Sequence, residues 1–166
     1  MKKLFTLIGA ILITGSVMAQ KPSSDDSNYS LEGMINYNSN SGISWDAPSV
    51  RMRYFMSDQN AIRVSLSMNL NTIEFEPSTF NLGVGYERHM SGTDRMSPYL
   101  GGGIGIGSSN LNEETDFSFG ANAVAGMDYY IFENIYMGLE LGITISDGDA
   151  GIYNSMTSAV RFGWRF

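Results

Sequence analysis

Eight ionisable side chains stand out by type and spacing: Glu32, Glu87 and Glu140, with Arg51, Arg53, Arg63, Arg161 and Arg165. Arg51 and Arg53 are two apart, and Arg161 and Arg165 four apart, so within an extended segment each pair shares a face. All the cations are arginines. A guanidinium fork pairs two-pronged with a carboxylate and holds its charge where solvent is scarce, which a lysine does less well. The chemistry expected of this set is mutual neutralisation in a confined polar space. A self-satisfying structural network is the first reading; a gated path for small ions is the sharper alternative.

Other constellations carry less. Gly101–Gly107 is dense in glycine, but a dinucleotide site needs strand, turn and helix in that order, and no helix follows. His89 could pair with Ser91 or Ser97 as nucleophile and Glu87 as orienter, as in a lipid hydrolase. His89 falls at the turn 90–97, where a structural role is the ordinary reading, so an enzyme is not expected. Cysteine is absent, which excludes disulfides, thiolate chemistry and an amino-terminal lipidated cysteine. The balance of 17 acidic to 10 basic residues gives no nucleic-acid footprint. No cofactor or metal site is expected.

The charges must be positioned by strands. Residues 1–19 read as a signal peptide: Lys2 and Lys3, an apolar run from Leu4 to Ile13, and Val17-Met18-Ala19 as the cleavage site. Without it the chain has eight basic against 17 acidic residues, net −9. Residues 20–28 read as a structureless periplasmic leader. From 29 to 166 the chain alternates apolar and polar residues with period two. Eight strands are expected, at about 29–38, 49–56, 61–70, 80–89, 98–107, 117–129, 135–146 and 156–166. In the last, Val160, Phe162, Trp164 and Phe166 form one greasy face. Segments of about ten residues suit a tilted strand crossing a bilayer, and an even count brings both ends to one side.

Alternation alone fits a soluble ligand-binding barrel as well as a membrane one. Composition favours the membrane. A water-facing wall is normally rich in Lys and Glu, yet the only lysine after the signal peptide is Lys21. The polar face is arginine and carboxylate diluted by Gly, Ser and Asn, the mark of a cramped lumen. Tyr54, Tyr86, Tyr129 and Trp164 lie near the turns, and Tyr37, Phe80 and Phe117 near the loops, as two interfacial girdles would. The loops 39–48, 71–79, 108–116 and 147–155 hold Asp46, Glu74, Glu76, Glu113, Glu114, Asp116, Asp147 and Asp149 and no Lys or Arg. They are placed outside the cell, as solvated loops.

Four stretches, Tyr54–Arg63, Ser97–Gly101, Tyr129–Gly138 and Arg161–Phe166, resemble the small OmpA-like, porin-like outer-membrane β-barrels, in particular the barrel-only members. The resemblance implies an all-β, eight-stranded antiparallel up-and-down transmembrane barrel in the outer membrane. It also implies insertion by the barrel assembly machinery, with Val160, Phe162, Trp164 and Phe166 as the recognised signal. Members that grip peptidoglycan carry a further periplasmic domain, which is not expected here, so cell-wall anchoring is not implied. The function expected is structural or surface-interacting, with outer-membrane lipids as partners and a monomeric state. A narrow channel is the alternative and a soluble ligand-binding barrel the further one.

Overall fold

The alternation becomes nine strands whose buried charged residues turn to one side. The computed structural model describes residues 21–38, 42–44, 49–69, 77–111, 114–148 and 151–166. The strands are β1 (Tyr29–Asn38), β2 (Gly42–Ser44), β3 (Val50–Ser57), β4 (Asn60–Asn69), β5 (Ser78–His89), β6 (Met96–Leu111), β7 (Glu114–Tyr130), β8 (Ile135–Gly148) and β9 (Gly151–Arg165). Each long strand pairs antiparallel with the next, and β1 pairs with β9, closing an eight-stranded barrel. The three-residue β2 only extends the β1 lane, opposite Asn36–Asn38. Closure removes every sheet edge from the barrel wall, as hydrocarbon demands, because no water is there to satisfy a free N–H or C=O.

The expected signal peptide, residues 1–19, lies outside the described residues, as do Asp46, Glu74, Glu76, Glu113 and Asp149 of the expected loops. Several strands run further than expected. Segments read as loop at 108–116 and 147–155 pair through Leu111↔Glu114 and Gly148↔Gly151. Backbone pairing tolerates their Ser, Asn and Asp at the polar end of a hairpin. The piece β2 was not expected at all.

The outer wall is apolar. Leu31, Met52, Val64, Val84, Ile104, Leu141 and Phe162 are all exposed on it. In water this would be an aggregating surface; in a bilayer it is the solvent-matched one. Along β7, Phe117 and Tyr129 are twelve residues apart, about 40 Å along the strand and roughly 30 Å of height at ordinary barrel tilt. On the turn side the aromatics touch. Tyr29 and Tyr54 rings are 5.1 Å apart, Tyr29 and Phe166 6.2 Å, and Trp164 and Phe166 5.0 Å, spanning β9, β1 and β3. Tyr86 donates its phenol to Asn60 at the same level. The chain ends meet there too, with Tyr29 N donating to Phe166 O at 2.9 Å and Phe166 N to Tyr29 O at 2.8 Å.

The leader is not structureless. Ser24–Asp26 form a turn, Ser24 N donates to Asp58 Oδ1 at 2.7 Å, and Lys21 N donates to Asp94 O at 2.6 Å. These bonds draw residues 21–28 across the turn-side mouth.

Candidate functional site

The site is the interior of the barrel's turn-side half. Even-numbered spacing from Glu32, odd spacing through Arg51 and Arg53, and the antiparallel register turn all these side chains inward. Arg51 grips Glu140 with two parallel bonds, 2.8 Å and 2.9 Å. Arg63 bridges Glu87 and Glu140, each at 3.3 Å, and donates to Asn122 Oδ1 at 2.9 Å. Arg53 donates to Asp128 Oδ2 at 2.6 Å. Its Nε lies 2.9 Å from Glu32 and 3.1 Å from Glu87, close enough for charge pairing, although its N–H is aligned with neither oxygen. Arg161 donates to Glu32 at 3.0 Å and to Asp128 Oδ1 at 2.6 Å.

Two tyrosines complete the lattice. Tyr99 donates to Glu140 at 2.5 Å and Tyr136 to Glu32 at 2.5 Å. Their rings also face guanidinium groups: Arg53 and Arg161 stand 5.1 Å and 5.2 Å from the Tyr99 ring centre, a cation–π distance. Each ring lies across a glycine on the paired strand. Tyr99 is opposite Gly126, and a Cβ at Gly126 would meet its ring at 2.3 Å. Tyr136 is opposite Gly163, where the same atom would sit 2.2 Å from the ring. Glycine thus clears the space that an aromatic fills on the neighbouring strand.

Of the eight residues expected in the lumen, Glu32, Arg51, Arg53, Arg63, Glu87, Glu140 and Arg161 meet in this network. Arg165 does not. It turns inward lower down, donating from Nε to Ser27 O at 2.7 Å and packing 3.9 Å over the Phe55 ring, where it helps seat the leader. Asp128, Tyr99, Tyr136 and Asn122 were missed. Asp128 had a signal: five arginines against three glutamates expected in the lumen leave an excess of positive charge, which burial makes costly. The missing anion had to be an inward-facing acid, and Asp128 sits on the polar face of its strand. With it the network holds four charges of each sign.

His89 does join Ser97 and Glu87, at 2.9 Å and 3.3 Å. All three are buried, with His89 packed between Phe55 and Tyr99 at ring distances of 5.4 Å and 5.2 Å. A hydroxyl without a free face cannot receive a substrate, so the cluster reads as packing. The other hydroxyl weighed, Ser91, lies exposed beyond the end of β5.

The four residues expected to mark the last strand, Val160, Phe162, Trp164 and Phe166, fall on the lipid side of the β9 lane, with Phe162 and Trp164 more than half exposed.

The model of the outer membrane protein beta-barrel domain matches residues 8–166. The chain belongs to this family. Among solved structures it resembles the N-terminal β-barrel domain of Pseudomonas aeruginosa OprF. The identity is 17% and the TM-score 0.65, over 84% of this chain and 98% of that one. A de novo designed transmembrane β-barrel matches at 18% identity and TM-score 0.56, over 90% of this chain and all of the other. Neisserial surface protein A matches at 18% and 0.51, over 82% and 94%. At these identities the likeness is one of fold. A comparison with curated proteins finds no match. The protein is an outer membrane β-barrel. A soluble ligand-binding barrel would carry its apolar residues inside, and here the charges are inside and the apolar wall is outside.

Proposed function

We propose that the protein is a structural barrel of the outer membrane whose lumen is locked shut, leaving its outer loops free to meet other surfaces. The observation that carries this is the charge-balanced lattice. Arg53, Arg161, Glu32, Glu87 and Asp128 are at most 1% exposed, so no water-wide path passes between them. An eight-stranded barrel has room inside for its side chains and little more. Here arginines, carboxylates and tyrosines take that room. Opening it would break several charge-assisted bonds together, each stronger than a neutral one.

A monomer held by outer-membrane lipids, inserted by the assembly machinery through the lane ending at Phe166, completes this reading. The narrow-channel alternative is favoured by one feature, a cavity in the loop-side half of the lumen, but that cavity ends at Arg51. Planar-bilayer recording of the purified protein separates the two. The locked barrel gives a flat trace across the voltage range; steady unitary openings would establish the channel instead.

A further inference from the structure

Above the charged lattice the lumen changes character. The loop-side half holds an open cavity of about 370 Å³, lined by residues from every long strand. Its walls carry Ser65, Ser67, Asn81, Asn122, Thr144 and Thr157, with further serines between them. Gly83, Gly105, Gly107 and Gly120 keep the space open, because each occupies an inward position where any side chain would intrude. Among the described residues, Arg51 is the one charged residue on its lining, and its fork is already occupied by Glu140. Arg63, Glu140 and Arg51 retain 4–8% exposure while the deeper network has none or almost none, so this layer forms the floor.

We propose that this vestibule is a binding site for a small, neutral, polyhydroxylated solute of about monosaccharide size. The volume lies within the range of ligand sites, but the wall, Met34 apart, is mainly polar where such sites are mostly apolar. Filled with water alone it would hold roughly a dozen molecules. A solute displaces ordered water without loss only if it reproduces the hydrogen bonds. Hydroxyl and amide walls offer donors and acceptors in all directions, and a sugar's hydroxyls answer both. An apolar solute strands those groups. A charged one finds no free counter-ion among the described lining residues, since the floor's arginines and glutamates neutralise one another. The inference does not need the barrel to be non-conducting, so a bilayer recording and a binding experiment can fail separately.

The test is solution NMR of the ¹⁵N-labelled protein refolded in micelles, titrated with D-glucose and, in parallel, with sodium gluconate. Glucose should give saturable shifts, with affinity on the order of 1 mM, at the amides of Ser67, Gly83, Gly105 and Thr144. Gluconate should give no saturable shift there. Thr144→Leu, which replaces a wall hydroxyl by a larger apolar side chain, should weaken the response at least tenfold while the unheated protein still migrates as a folded barrel. Should that variant not fold, Thr144→Val keeps the shape without the hydroxyl and should weaken binding roughly threefold to tenfold. Absence of saturation with glucose, equal saturation by gluconate, or an unchanged response in both variants overturns the proposal.

Discussion

The two halves of the lumen share one barrel, one strand count and one lipid-facing wall, yet they are built oppositely. The turn-side half is packed with arginines, carboxylates and tyrosines, and its largest side chains are fully buried. The loop-side half is walled mainly by serine, threonine, asparagine and glycine and holds an open cavity. The backbone cannot tell the halves apart, because the same antiparallel ladders run through both. Inward residue size and charge alone decide whether a cross-section of an eight-stranded barrel is a plug or a pocket. Stability is therefore concentrated on one side of the molecule, and room for a solute on the other.

The strongest way to break this comparison is to remove a polar group from each half's lining and compare the costs. Asp128 serves Arg53 and Arg161, each at 2.6 Å. Asp128→Ala leaves two guanidinium groups buried without that anion and should cost about 3–5 kcal/mol, the usual penalty for breaking a buried pair. Pairing it with Arg161→Met should recover part of the loss, since one stranded charge goes with its partner. Ser146→Ala, on the cavity wall, should stay within about 0.5 kcal/mol. Urea unfolding of the refolded protein in bilayers measures all three. Equal costs in the two halves would erase the distinction.

A smaller and sharper effect comes from space. Gly163→Ala drives a methyl into the Tyr136 ring at 2.2 Å, whereas Gly120→Ala meets Ile145 O at 3.3 Å and the Ser146 Cβ at 3.4 Å. Overpacking should cost about 1–3 kcal/mol at Gly163 and clearly less at Gly120. The Tyr136→Phe variant checks the cause. It keeps the ring and so keeps the clash, while losing the bonds to Glu32 and Ser30. The glycine effect should persist in that background.

These contrasts also show what the bare chain discloses. Period-two alternation fixes which residues face inward, and for Glu32, Arg51, Arg53, Arg63, Glu87, Glu140 and Arg161 it was enough to place them in one lumen. It could not give partners, because partners depend on shear and register across the closed sheet. Asp128 was on the correct face and still escaped notice; only the demand for buried neutrality singles it out. Strand ends were blurred where Ser109–Asn110 and Thr115–Asp116 continue the ladder with loop-like residues. The leader was illegible for a different reason. Its turn is held by Asp58, Asp94 and Arg165, all distant in sequence, and nothing local in Gln20–Asn28 announces them.

That leader yields the smallest effect, and one that pH can dial. Asp58 lies in the two-residue turn between β3 and β4 and accepts from Ser24 N at 2.7 Å. This backbone donor, ahead of the more distant charges of Arg165 and Lys21, holds its carboxyl below the ordinary 3.8. A carboxyl depressed in the folded state stabilises the docked leader above its ordinary value, and the contribution is lost as pH falls below 3.8 through the folded value. The group is largely solvent-exposed, so screening keeps the effect under about 1 kcal/mol. Amide exchange at Ser24 should stay protected at neutral pH and speed up, beyond the intrinsic pH trend, only below about pH 3.8. Asp58→Asn should flatten that transition without altering exchange at Arg53 or Asp128, because the lattice does not depend on the leader. If Ser24 exchange is the same in both proteins, the leader is seated by Arg165 and Ser27 rather than by Asp58.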